Sequence, residues 1–183
     1  MANSKSIGGE YEREFSRQLS AWAGYPDRDV FWRDSSSGTR STVRIQAGKQ
    51  VEAQGDIIAV IPELYFFTQR FSIDTKSYKA WNPNFINPSN KKTNELLREW
   101  IKVYSQCPNN MLPVMPCKIR DRKTEDVIVF GINIKYNHLN RIEVNTNTPW
   151  DNVNYRFAYT PTKEFFEMNT LQSFYDLNSL TQK

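Results

Sequence analysis

Cysteine and histidine are nearly absent from this chain, and their scarcity removes whole classes of chemistry. The two cysteines, Cys107 and Cys117, form no Cys-x-x-Cys pair and read as free thiols in a reducing compartment. The single histidine, His138, cannot complete a zinc site with them at any familiar spacing. Any metal would therefore have to be held by oxygen. Long apolar runs are missing too. Nothing approaches the ~18 residues a membrane helix needs, and the opening "MANSKSIGGEYEREF" has no signal-peptide core. A cytoplasmic protein with no membrane partner is the expectation. Strong one-sided charge is also lacking, with a net of only +4.

What is present is enough for a core. A chain of 183 residues with 14% aromatics suits one domain without disulfide or metal staples. The basic excess is uneven: residues 1–138 hold 20 Lys and Arg against 15 Asp and Glu, and residues 139–183 hold 4 against 5. A polyanionic partner for the N-terminal part follows. We expect one domain over 1–183, with a motif-bearing core at about 8–135 and a C-terminal extension at about 139–183.

Periodicity sketches the elements. Tyr11, Phe15, Leu19 and Trp22 form one apolar stripe and predict a helix over 8–23, ended by Gly24–Pro26. "VFWR" at 30–33 is a short strand. Residues 34–55 are polar and glycine-punctuated, a long loop of the kind that is usually functional or mobile. "DIIAVIP" at 56–62 has the pattern of a buried strand. "LYFFTQRFSIDTKSY" is expected to pair with it as an antiparallel hairpin turning near Pro62–Glu63. A second helix covers 94–107, two strands follow in "MLPVMPCKIRD" and "EDVIVFGINIKY", and Thr160 as N-cap opens a last helix at Pro161. Tyr155, Phe157 and Tyr159 alternate as a strand. The order predicts an α/β fold with a central mixed sheet flanked by helices.

Chemistry gathers around "FSIDTKSY", residues 71–78. Strand alternation puts Asp74 and Lys76 on one face, about 7 Å apart, with Phe71, Ile73 and Thr75 on the other. Asp56 begins the preceding strand, after Gly55, so pairing of the two strands brings two carboxylates together. Facing carboxylates raise each other's pKa unless a cation lies between them. Mg²⁺ takes one or two such carboxylates, with water completing its shell. A neighbouring lysine then positions or helps deprotonate water, or stabilises charge on a phosphate under attack.

Four pieces in this order resemble the PD-(D/E)xK nuclease superfamily, most of all its Holliday junction resolvase branch and related phage-encoded endonucleases. They are "GGEYEREF" with Gly8, Glu12 and Arg13, then "FWRDSSSGTRS", "QGDIIAV" and "FSIDTKSY", with a looser echo in 94–106 and the segment after it. Three departures stand out. Gly55 takes the place of the named proline, and the last of the four pieces reads D-T-K where E-x-K is common. The 17 residues between Asp56 and Asp74 are also more than resolvases usually carry. The resemblance implies a restriction-endonuclease-like core and a Mg²⁺- or Mn²⁺-dependent DNA endonuclease, acting on branched DNA or on duplex, with a homodimer as its working form. It implies Asp56 and Asp74 as metal ligands with the Thr75 carbonyl, Lys76 as catalytic lysine, and Glu12 as helix carboxylate. Glu10 and Glu14 compete with Glu12, since helical spacing prevents all three from facing one site. Arg33, Ser37 and Gly38 correspond to the part that touches the scissile phosphate. Arg40, Arg44, Lys49, Lys79, Lys91 and Lys92, in the two irregular loops, are candidates to track DNA phosphates. The rival reading is a non-catalytic DNA-binding or phage structural protein that retains a nuclease-like fold.

Overall fold

The computed structural model describes residues 4–34, 55–79, 95–120, 125–131, 142–147 and 154–171. Helix α1 (Ser4–Trp22) is followed by strand β1 (Phe31–Arg33), which pairs antiparallel with β2 (Ile57–Ala59). A 3₁₀ turn (Pro62–Leu64) leads into a short helix α2 (Tyr65–Arg70). Strands β3 (Phe71–Ile73) and β4 (Lys76–Tyr78) come next, then helix α3 (Glu95–Gln106) and strand β5 (Leu112–Ile119). Strands β6 (Val127–Gly131), β7 (Ile142–Asn147) and β8 (Asn154–Pro161) and helix α4 (Thr162–Met168) complete the described chain. The six-stranded sheet runs β3/β4–β5–β6–β8–β7. Its β3/β4–β5 pairing is parallel and the rest is antiparallel. Residues 154–161 are thus an interior strand of the sheet that carries "FSIDTKSY".

Both faces of the sheet are covered. On one side Tyr11, Phe15 and Leu19 of α1, Phe67 of α2 and Phe165 of α4 pack on Phe71, Ile73, Val114, Ile128 and Phe130. On the other side Leu96, Leu97, Trp100 and Val103 of α3 pack on Tyr78, Met115, Cys117, Val127, Val129 and Phe157. The alternation within β6, with Ile128 and Phe130 facing one cluster and Val127 and Val129 the other, is what a doubly covered strand requires.

The expected hairpin between 56–62 and 64–78 does not form. Its second arm begins as α2, because Leu64, Phe67 and Phe71 fall at helical spacing and all three are buried. Phe67 sits within 6 Å of the rings of Trp22, Phe31 and Phe71, at centroid distances of 5.8, 5.7 and 4.8 Å. This aromatic packing overrides the β-propensity of "LYFFT". Helix α2 turns the chain back, so Gly55 meets Ile73 in a parallel bridge. The last helix also starts one position later than expected: Pro161 is its N-cap, and Thr160 remains in β8.

Candidate active site

Three backbone features place the site at the β3/β4 edge of the sheet. The first is Gly55, whose φ of +116° lies where glycine alone is at ease. A Cβ there would stand 2.5 Å from the Ile73 carbonyl oxygen. Proline, with φ locked near −65°, cannot occupy this position, which gives a physical reason for glycine in this chain. The second is the anchoring of Asp56. Its N–H donates to the Ile73 carbonyl at 2.6 Å, and its own carbonyl accepts from Asp34 N–H at 2.7 Å.

The third is a break in the ladder between β3 and β4. Both pair with β5 at the same offset, so they form one interrupted strand, with Thr75 opposite Pro116. Asp74 N–H still donates to Val114. Pro116 has no N–H to return the bond to the Asp74 carbonyl. The pairing therefore lapses at Asp74–Thr75 and resumes at Lys76. The chemically important residues lie where a proline on the neighbouring strand opens the sheet.

Side chains follow from this frame. Asp74 and Lys76 share the pleat parity of Tyr78, on the side covered by α3, while Phe71, Ile73 and Thr75 fall on the α1 side, as alternation requires. Lys76 Nζ donates to Asp74 Oδ1, and both side chains are about a quarter exposed. Asp56 Oδ2 accepts from Thr75 N–H at 2.8 Å and from Thr75 Oγ1 at 3.2 Å. Glu12 of α1 is ion-paired with Arg33 of β1. Gly9, one helical turn earlier, leaves the room that Arg33 needs, since a Cβ there would lie 3.1 Å from Nη1.

Electrostatics show that four of the expected residues share one field. The Asp56 carboxyl is pushed up to about 7, first by burial, then by Asp74 and Glu12, against the pull of Thr75 N–H and Lys76. Lys76 is pressed down by burial, yet the charge and hydrogen bond of Asp74, with Asp56 and Glu99 behind, hold it above the ordinary lysine value. Lys76 is thus a firmly protonated ammonium, and Asp56 is a carboxylate short of positive charge.

Of the three helix glutamates, Glu12 is the one whose charge reaches Asp56; Glu14 pairs with Lys118, and Glu10 is exposed. Lys79 is exposed just beyond β4. Ser37, Gly38, Arg40, Arg44, Lys49, Lys91, Lys92 and His138 lie outside the described residues. Two residues were missed by sequence reasoning. Glu99 of α3, the helix covering the side on which Lys76 and Tyr78 lie, acts on both, and its only sequence signal was an acidic residue in an amphipathic helix. Asp34, buried at the end of β1, donates its N–H to Asp56; it stood inside a segment read for its arginine and serines.

A family model described as "Phage putative PDDEXK endonuclease" matches residues 3–183. The chain belongs to this phage PDDEXK endonuclease family. The mixed sheet flanked by helices is the restriction-endonuclease-like fold of such PDDEXK proteins. Comparison with curated proteins and with solved structures gave no match. PDDEXK nucleases generally use divalent metals, and the residues present suit one. The donors are hard oxygens, and a half-buried carboxylate raised to about 7 beside a second one is a place where added positive charge is favourable. Among the described residues no group of three or more Asp, Glu, His or Cys side chains is already gathered as a metal cage.

Proposed function

We propose that this PDDEXK family member is a Mg²⁺- or Mn²⁺-dependent DNA endonuclease, with Asp56 and Asp74 as metal ligands and Lys76 as the catalytic lysine. One observation carries the reading. A half-buried, under-neutralised Asp56 is fixed by Thr75 beside an Asp74–Lys76 pair, at a gap in the sheet that opens on solvent. Thr75 pins Oδ2 of Asp56, so that carboxylate is oriented before any ligand arrives. The Thr75 carbonyl and Glu12 complete the candidate ligand set. Where an ion is bound, it supplies Lewis acidity toward water and the phosphate oxygens.

The chain's own groups do the rest. Lys76, held protonated, donates to a non-bridging oxygen of the scissile phosphate and stabilises the charge that grows there. This favours charge stabilisation over proton abstraction among the roles open to a lysine. Water adds to phosphorus in line, the bond to the 3′-oxygen breaks, and that oxygen takes a proton. The products are a 3′-hydroxyl and a 5′-phosphate. Arg33, tethered by Glu12, stands beside the path of the phosphate. Lys79 and the basic residues of 35–54 and 80–94 extend the contact along the backbone. Branched DNA as the favoured substrate, a homodimer, and action in the host cytoplasm as one nuclease unit over 1–183 rest on the resolvase-like order of the motifs.

Cleavage of plasmid and four-way junction DNA, with and without Mg²⁺ or Mn²⁺, tests the reading on wild type and Lys76→Ala. Wild type cuts only with the ion, and Lys76→Ala binds without cutting. Equal cutting by both would reject the role of Lys76; no cutting by either with any divalent ion would favour a non-catalytic DNA-binding protein.

A further inference from the structure

Beside the site, and separate from its carboxylates, lies a pocket of about 220 Å³ lined by Arg13, Ser16 and Arg17 of α1 and by Asp29, Phe31, Trp32 and Arg33 of the β1 segment. Its composition is unusual for this molecule. Trp100 is fully buried and Trp22 packs against the core, but Trp32 is 56% exposed. The Trp32 ring is not loose: its indole N–H donates to the Asp29 carbonyl at 2.9 Å. An apolar ring is therefore held toward water with its one polar atom already satisfied.

The guanidinium groups around it differ in their state. Arg33 is committed to Glu12. Arg13 and Arg17, both exposed, have no ion pair among the described residues. At i and i+4 they project from the same side of α1. A fixed aromatic face next to two uncommitted cations is the chemistry that takes a nucleobase and the phosphate attached to it.

Position links the pocket to the catalytic edge. Arg33 pairs with Ile57 and Trp32 with Ile58, so the Trp32 backbone stands two residues along the strand from Asp56. That is about 7 Å along β2 and one inter-strand spacing across. We infer that the Arg13–Arg17–Trp32 pocket is a subsite for an unpaired nucleotide flanking the scissile phosphate, its base stacked on Trp32 and its phosphate held by Arg13 and Arg17. In a continuous duplex every base is already stacked on its neighbours, so Trp32 has nothing to take. A nick, flap or branch point supplies a free base. The subsite thus narrows the substrate class to DNA with single-stranded character at the cut, and it rests on the endonuclease reading given above.

The test is made by DNA binding in the Lys76→Ala background, where cleavage does not interfere. Three labelled DNAs are compared: a blunt duplex, the same duplex with a short single-stranded tail, and that tail with one abasic position. The expected result is about a tenfold preference for the tailed over the blunt duplex. Adding Trp32→Ala erases that preference, and Trp32→Phe retains most of it. The abasic tail reproduces the loss on a protein whose pocket is intact, which keeps the result clear of any folding defect. Arg17→Ala weakens binding to blunt and tailed DNA and lowers the slope of log affinity against log salt by about one. A tail-to-blunt ratio unchanged by both Trp32→Ala and the abasic position overturns the subsite and leaves a plain phosphate clamp. Cleavage by wild type is read separately. A protein that grips the tail through Trp32 yet cuts nothing keeps the subsite and loses the endonuclease reading, and one that cuts DNA while ignoring Trp32 does the reverse.

Discussion

Two clusters in this molecule contain the same groups, a lysine with two carboxylates, and they differ in how far their charges are met. At the edge are Lys76, Asp74 and Asp56. Between α1 and β5 are Lys118, Glu14 and Asp126. In the second, every member has a direct partner. Lys118 pairs with Glu14 and lies 5.6 Å above the ring of Tyr11, and Asp126 Oδ1 accepts the Ile119 N–H at 2.7 Å. Asp126 stays raised, by burial first and then by Glu14, with the Ile119 N–H and Lys118 opposing the rise. In the first, Lys76 is shared between two acids and Asp56 remains at about 7. The comparison teaches that composition does not mark a site. Unspent electrostatic demand at an opening does.

The comparison can be broken most directly at the lysines. Lys76→Ala should lower cleavage by about 10³-fold or more with little change in melting temperature, measured by plasmid nicking and calorimetry. If the cluster is instead structural, the same variant unfolds and activity tracks stability. Gly55→Ala comes next. Its Cβ would meet the Ile73 carbonyl at 2.5 Å in a backbone already at φ +116°, so about 2–4 kcal/mol of stability should be lost. The variant's melting temperature should fall by roughly 5–15 °C, and cleavage should fall with it because Asp56 is displaced.

Asp56→Asn sharpens the contrast by pH. The Asp56 carboxyl is raised in the folded state from 3.8 to about 7. The folded protein then holds a proton that the unfolded chain has released, and stability of the metal-free protein declines as pH rises between those values. Asp56→Asn should flatten that decline in chelator and raise the melting temperature above pH 7 while abolishing cleavage. Divalent ion should stabilise wild type above pH 7 and leave the variant unmoved. The smallest effect belongs to the other cluster. Lys118→Ala should cost about 1 kcal/mol, a drop of roughly 2–4 °C, with cleavage of the folded protein retained.

Much of the candidate site was legible along the chain because its parts are local. "FSIDTKSY" carries strand alternation in its own residues, and Asp74 and Lys76 do share a face. The stripe Tyr11–Phe15–Leu19–Trp22 named α1 and its buried side. The path between Asp56 and Asp74 was not legible. "LYFFT" has strand propensity, and its helix exists only because Phe67 fills an aromatic cluster formed by Trp22, Phe31 and Phe71. Glu12 could not be separated from Glu10 and Glu14 by spacing, since the choice depends on where Arg33 and Lys118 lie.

By itself the sequence determined which groups were available: hard oxygen donors, Lys76 two residues from Asp74, and no thiolate–imidazole set. It also determined the glycine before Asp56 and the proline at 116, whose backbone consequences are intrinsic to those residues. Tertiary structure alone decided that the glycine presses against Ile73, that the proline falls opposite Thr75, and that Asp56 is left short of positive charge. The physical reason is that propensities and alternation act over a few residues, whereas burial and Coulomb fields depend on neighbours brought from 18 to 44 positions away.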